Sequence, residues 1–291
     1  MSTQKNRRDF LKNSALLSSG AILAQAHSLH AATPETRALP GNETLKTLHK
    51  LRTIHGNFKD QAIPDEQIEQ ILQASIRAAN SSNMQTYSIV VVKDRQKMKQ
   101  VCQYQGSCLL LYCVDYSRLK ASATSLGHPF YPNSIVHFVT ACINTAFAAQ
   151  TAVIAARSLG LDCLTTNGIH RGNMERVWRL LDLPKKHCFP LIAVVMGYPT
   201  QEPDYLKGRL DGVGVIHRDA HHKPTPEELE AIAHQYDDKE KHIALNDDWG
   251  QQGHKHYLDW LFKVWCKHDA KPTEQETQML SMLKQCGFVE A

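Results

Sequence analysis

In ETLKTLHKLRTIHGNF, Leu45, Leu48 and Leu51 recur at helical spacing and the run breaks at Gly56, which predicts a first helix ending near Ile54. A second helix is predicted from Pro64, where Asp65 and Glu66 supply an acidic first turn and Ile68, Ile71, Leu72 and Ile76 fall on one face. YSIVVVKD, CLLLYCVD and PLIAVVMGYP are short apolar runs, partly β-branched and bounded by polar or turn residues, and these predict strands. Between Ser134 and Gly160 the chain is apolar or small on nearly every side, so a helix buried all round is expected. His137, Asn144 and Gln150 within it, with a mean hydropathy of −0.38 for the whole chain, favour a protein core over a bilayer. Beyond His217 the sequence turns polar and rich in histidine. Trp249, Trp260, Leu261, Val264 and Trp265 then supply an amphipathic helix whose apolar face needs a cover, either its own core or a partner. Helices and strands mixed in this way predict an α/β or α+β domain.

The first thirty residues follow a different pattern. Arg7 and Arg8 precede Ser14–Ala26, a mildly apolar stretch too short to span a bilayer, and small residues follow at Ala24, Ala26, Ala31 and Ala32. Arg7-Arg8-Asp9-Phe10-Leu11-Lys12 resembles the twin-arginine export signal, with Asn6 where Ser or Thr is usual. The resemblance implies a periplasmic or other extracytoplasmic protein exported in folded form by the twin-arginine machinery. The expected organisation is a signal at 1–32, a linker at 33–44, a main domain at 45–220 and a helical extension at 221–291.

Charge narrows the function classes. Through Ala32 there are four cations (Lys5, Arg7, Arg8, Lys12) and one anion (Asp9), a net +3, which leaves +1 of the formal +4 to the remainder. A near-neutral chain without clustered Lys and Arg lacks the footprint of a nucleic-acid binder. None of the eight cysteines falls in a CxxC pair, which argues against a ferredoxin-type cluster, a zinc ribbon and a thioredoxin motif. Cys142 and Cys163 read as buried small hydrophobes, and pairing among the others stays open. His217, His221, His222, His254 and His256 match no metal signature, and no metal is expected.

Four separated stretches carry the remaining chemistry: LRTIHGNF, AANSSNMQTY, TTNGI and DYLKGRL. In this order they resemble the FMN-dependent nitroreductase family over roughly Leu45 to His217. The resemblance implies a nitroreductase-like α+β sandwich with a central, mainly antiparallel sheet flanked by helices, forming a homodimer with FMN at the subunit interface. Arg52 then matches the family's arginine on the FMN phosphate, a contact its planar fork suits. Thr53 stands where a neighbouring hydroxyl could serve. Ile54 and Gly56 occupy the positions of the family's hydroxyl and basic residues, a departure that removes a positive group from the flavin's pyrimidine edge. Asn80, Ser81 and Asn83 correspond to a loop that lines the flavin, and Asn144 to a polar side chain presented to its ring. Thr165, Thr166, Asn167 and Gly168 fall where a backbone N–H points at flavin N5, with Gly168 allowing close approach to a ring. Lys207 and Arg209 match a terminal pair of phosphate contacts.

Ping-pong hydride transfer through FMN to a nitro, quinone or similar electron-poor small molecule is thereby implied, with no side-chain acid or base as a catalytic residue. The donor is expected to be NAD(P)H, a quinol or a redox protein; export favours the last two, because nicotinamides are scarce outside the cytoplasm. A flavin-dependent dehalogenase or an enzyme consuming its own flavin remains open on the same fold. So does a non-catalytic flavin carrier or secreted binding module, which the loss at Ile54 and Gly56 would suit.

Overall fold

The computed structural model describes residues 41–266 and 272–289. The twin-arginine segment, its cleavage region and most of the expected linker lie outside these residues. From Asn42 onward the chain forms one compact unit.

In chain order the elements are α1 (Glu43–His49), α2 (Asp65–Ser75), β1 (Tyr87–Val92), α3 (Arg95–Cys102), β2 (Cys108–Asp115), α4 (Ser117–Ser125), α5 (Ile135–Ser158), β3 (Asp162–Thr166), α6 (Glu175–Leu181), β4 (Cys188–Gly197), α7 (Pro226–Asp237), α8 (Tyr257–Trp260) and α9 (Glu274–Cys286). The four strands form one sheet in the order β1-β2-β4-β3, and every pair is antiparallel. Helices on both faces make the sandwich that the sequence predicts.

Alternation along β2 explains the two layers. Leu109, Leu111 and Cys113 enter a core with Met98, Val101, Val177, Trp178 and Phe189, the side covered by α3 and α6. Cys108, Leu110 and Tyr112 enter the opposite core with Ile68, Ile71, Ala148 and Ala152, the side covered by α2 and most of α5. Both faces of this central strand are covered, so it reads as an unbroken apolar run. The chain end returns to the first core, where Met282, Cys286 and Phe288 are buried and His187 N–H donates to the Cys286 carbonyl at 2.9 Å.

Three sequence expectations are corrected. The first helix stops at His49, capped at Lys50, and Thr53 instead bridges Cys163 in parallel, so Arg52–Ile54 is extended chain beside β3. The apolar spacing cannot register this, because the extended segment takes its bridge partner, Cys163, from more than a hundred positions away. Helix α5 is not buried all round. It buries a face of small residues (Ala141, Ala148, Ala149, Ala152, Ala156), while Ile135, Val136, Val139, Ile143 and Phe147 form an exposed stripe. Finally, the tryptophan-rich segment is four residues of α8 followed by a π-helical stretch, Leu261–Trp265. Tyr257 and Trp260 pack on Ala244, whereas Phe262, Val264 and Trp265 remain exposed. All eight cysteines are free, and six of them are buried.

Candidate active site

The extended segment after α1 fixes Arg52. Ile54 N–H donates to the Cys163 carbonyl at 3.1 Å, and the Ile54 side chain is buried in the first core. Arg52 reaches the start of β3, where its Nε lies 3.0 and 3.1 Å from the two Asp162 carboxylate oxygens and its Nη2 lies 2.6 Å from Oδ2. Arg157 Nη1 holds the same carboxylate at 2.9 Å, and Glu202 Oε2 approaches Arg52 Nη2 at 2.7 Å. Asp162 is only 1% exposed, so the fork and Arg157 together offset its desolvation. The hydrogen bond to Asp162 raises the Arg52 pKa above its ordinary value, against the opposing pull of burial. Across this group two cations meet two anions. The expected phosphate arginine is therefore already balanced, and Glu202, at 75% exposure, is its replaceable partner.

Arg52, Thr53, Thr165, Lys207 and Arg209 line one cleft of 690 Å³, together with Tyr205 and Tyr257. Five residues singled out from the sequence thus meet here. Its far wall is Ile243, Ala244 and Leu245, supplied by the segment beyond the expected main domain. The wall is fixed closely. Lys207 Nζ donates to the Ala244 carbonyl at 2.6 Å, and Gly208 N–H to the His242 carbonyl at 3.3 Å. A Cβ on Gly208 would sit 2.0 Å from the Lys241 carbonyl oxygen, so only glycine permits the approach. Tyr205 stacks on His242 with centroids 3.7 Å apart, and Leu245 N–H donates to the Tyr257 hydroxyl at 3.1 Å. Arg209 folds back onto the carbonyls of Lys207 and Gly208, at 3.2 and 2.8 Å. Lys207 and Arg209 carry no carboxylate partner among the described ion pairs; Asp204 also lines the cleft, so beyond the balanced Arg52 group two cations face one anion and the cleft stays net positive.

The loop between α2 and β1 is a second, separate assembly. Ser82, Asn83 and Gln85 all adopt positive φ (51°, 53° and 51°), a region that side chains other than Asn and Asp rarely enter. Asn80 Oδ1 accepts from Gln85 N–H at 3.0 Å, and Arg118 donates to the Gln85 carbonyl. Asn144 acts from α5: its Oδ1 accepts Ser81 N–H at 2.9 Å and its Nδ2 donates to Thr86 Oγ1 at 2.8 Å. At 2% exposure this side chain is committed to the loop rather than presented to a ring. Ser81 and Asn83 are exposed, and no residue of this loop lines the Arg52 cleft within one chain.

At the end of β3, Thr166 is buried and its Oγ1 accepts Gly168 N–H at 3.0 Å, while Asn167, the next residue, is exposed. Gly168 is required for a different reason from the one expected. A Cβ there would lie 2.4 Å from the Cys102 carbonyl oxygen at the end of α3, so the close approach is to protein backbone. Ile54, expected beside the cofactor, also departs: its side chain is in the core, its N–H serves Cys163 and its carbonyl accepts Gly56 N–H. Gly56 has φ +75°, a conformation in which a basic side chain would be strained, which gives the departure at this position a physical cause. Asp162, Glu202, Tyr205 and the 243–245 wall were not anticipated. Only Tyr205 carried a signal, two residues before Lys207. Among the described residues no group of three His, Cys, Asp or Glu side chains is arranged to hold a metal ion; the His217 ring packs at a tilt on His221 and edge-on against His222.

The nitroreductase family model matches residues 50–112 and 121–198. The FMN reductase [NAD(P)H] of Bacillus subtilis is 30% identical over 209 residues, covering 68% of this chain and 81% of that protein. An oxygen-insensitive NADPH nitroreductase of Salmonella typhimurium is 31% identical over 196 residues, covering 64% and 77%. Among solved structures, NfrA2 of B. megaterium superposes with a TM-score of 0.72 at 24% identity, over 86% of this chain and 99% of that one, which shows the shared fold. The chain belongs to the nitroreductase family and is an oxidoreductase.

Proposed function

We propose that the protein is an exported, FMN-dependent oxidoreductase that works as a homodimer and reduces a nitro, quinone or similar electron-poor small molecule. The observation that carries the cofactor reading is the cleft in which Arg52 converges with Lys207 and Arg209 from a distant part of the chain. Its two cations without an ion-pair partner, Lys207 and Arg209, outnumber the lining Asp204 and suit the negative charge of a phosphate monoester. The residues present fit that end of FMN: Lys207 and Arg209 would hold the phosphate, Arg52 would join on releasing Glu202, and Thr53 and Thr165 offer hydroxyls at the same wall. Bound FMN would supply two-electron hydride chemistry, and the chain's own task would be positioning and electrostatics.

Homodimerisation is supported by two features of the single chain. The Asn80–Asn83 loop is held in a strained shape outside the cleft, as expected of a loop that serves a neighbouring subunit's site. The Ile135–Phe147 stripe leaves a row of large apolar side chains in solvent, a surface that a second copy would cover. The NADPH-named relatives support a nicotinamide donor. Export by the twin-arginine route favours a quinol or redox protein in its place, and we take one of these as the physiological donor. Stopped-flow reduction that is faster with NADPH than with any quinol analogue would refute that choice.

The cofactor reading is tested by titrating apo-protein with FMN and following flavin fluorescence, with Lys207→Met and Arg209→Met beside the wild type. Saturable binding that both variants weaken supports the reading; binding that neither changes removes the phosphate cleft. A flavin carrier without turnover is the rival that Gly56 favours, since no basic residue reaches the ring from that position. Bound flavin that stays oxidised with every donor would select it.

A further inference from the structure

Arg176, near the start of α6, is a cation bonded only to carbonyls. Its Nε donates to the Gln100 carbonyl at 3.0 Å, its Nη1 to those of Arg171 (2.5 Å) and Asn173 (2.7 Å), and its Nη2 to those of Val101 and Gly168, both at 3.3 Å. Two of these acceptors are orphan carbonyls of the last turn of α3, and three belong to the turn that follows β3. No carboxylate pairs with Arg176 among the described ion pairs. Desolvation pulls its pKa below the ordinary arginine value. A partly buried cation without a counter-charge is retained where its donors do something a neutral side chain cannot. Here a planar fork joins five acceptors on two segments, a geometry that one ammonium cannot reproduce.

We propose that Arg176 is a positioning residue for the oxidoreductase reaction: it clamps the Gly168–Asn173 turn onto the end of α3 and so fixes the exposed Asn167 edge at the end of β3. The same junction is where Gly168 lies too close to the Cys102 carbonyl to admit a Cβ, so steric contact and hydrogen bonding hold one seam. The helix end gains as well, because the guanidinium sits at the negative pole of α3. The catalytic consequence rests on the FMN reading together with the family resemblance, which puts the backbone at the end of β3, where Asn167 is exposed, beside the flavin. The clamp itself does not.

The test uses the full chain with Arg176→Lys and Arg176→Met and follows amide hydrogen exchange by mass spectrometry. Loss of the clamp raises exchange in peptides spanning 167–173 and 100–103 by about tenfold or more, while β2 and β4 keep their protection. Lysine restores part of the protection and methionine none. Unchanged exchange in both variants, or a rise of equal size across the sheet, overturns the proposal. In the FMN-loaded enzyme the Lys variant shifts the flavin's visible circular dichroism and lowers kcat with donor KM unchanged; an unaltered spectrum and kcat beside faster exchange would confine Arg176 to the fold and overturn its link to the reaction. If wild-type protein binds no FMN, the cofactor reading fails while the exchange data still decide the clamp.

Discussion

Asn144 is the residue whose assigned role changes most between sequence and structure, and its replacement gives a sharp test. Asn144→Leu keeps the branching at Cγ, with bulkier methyl groups in place of the amide, and removes both hydrogen bonds to the loop, at Ser81 N–H and Thr86 Oγ1. A typical intramolecular hydrogen bond contributes about 1 kcal/mol, and a buried partner left unsatisfied costs about 1–3. Ser81 is exposed, so its N–H turns to water. Thr86 is fully buried but keeps Tyr116 as a hydrogen-bonding neighbour, which holds that end near the lower bound. The loss comes to about 2 kcal/mol. Three residues of the loop sit at positive φ, a conformation that disfavours an L-residue by roughly 1–2 kcal/mol each, so the loop relaxes once Asn144 lets go. For a chain of this size thermal unfolding should fall by roughly 4–8 °C. Calorimetry with hydrogen exchange across 80–86 is the assay. A change under about 0.5 kcal/mol, the scatter of neutral surface substitutions, with unchanged loop protection would refute the assignment of Asn144 as the loop's anchor.

Glu202→Gln removes the exposed competitor for Arg52 and leaves the Asp162 pair intact, so FMN should bind more tightly, read as a lower Kd by fluorescence titration; weaker binding would contradict the replaceable role of Glu202. Gly168→Ala drives a Cβ to 2.4 Å from the Cys102 carbonyl and should cost about 1–3 kcal/mol or more in urea unfolding, as overpacking does. His170 is buried with its Nε2 on the Pro190 carbonyl, and desolvation lowers its pKa below 6.5. Its contribution is therefore complete above 6.5 and is lost as pH falls from there toward the lowered folded value; unfolding curves should weaken across that window in the wild type and less in His170→Gln. Burial pushes the Cys108, Cys163 and Cys286 thiols up to about 12, whereas Cys266 is exposed, so one thiol per chain should react fast with an aromatic disulfide reagent and Cys266→Ser should abolish that phase.

The parts of the fold legible in the sequence are those set by local pattern. Pro64 with its acidic first turn marks α2, and three apolar runs mark β1, β2 and β4. Strand β3 is hidden because DCLTT is five residues long and begins with Asp162, whose carboxylate is buried only by virtue of Arg52 and Arg157. The same long-range pairing hides the extended run at Arg52–Ile54. Composition read α5 as buried all round because alanine and the branched residues look alike on a hydropathy scale; the structure sorts them by size, small side chains inward and large ones outward. At the site, motif order brought Arg52, Thr53, Lys207 and Arg209 to one cleft. It could not foresee that Ile54 turns inward or that Asn144 serves the loop. Nor could it reveal the 243–245 wall, since those residues contribute through backbone carbonyls and apolar contact that leave no chemical mark in a sequence.

The central claim, an FMN-dependent oxidoreductase, is tested most directly by the visible absorption spectrum of the purified protein loaded with FMN and followed anaerobically as reductant is added. The account predicts flavin bands that travel with the protein and bleach on addition of NADPH or a quinol, then return when a nitro or quinone acceptor is supplied. A protein that retains no flavin after FMN is added would contradict the account.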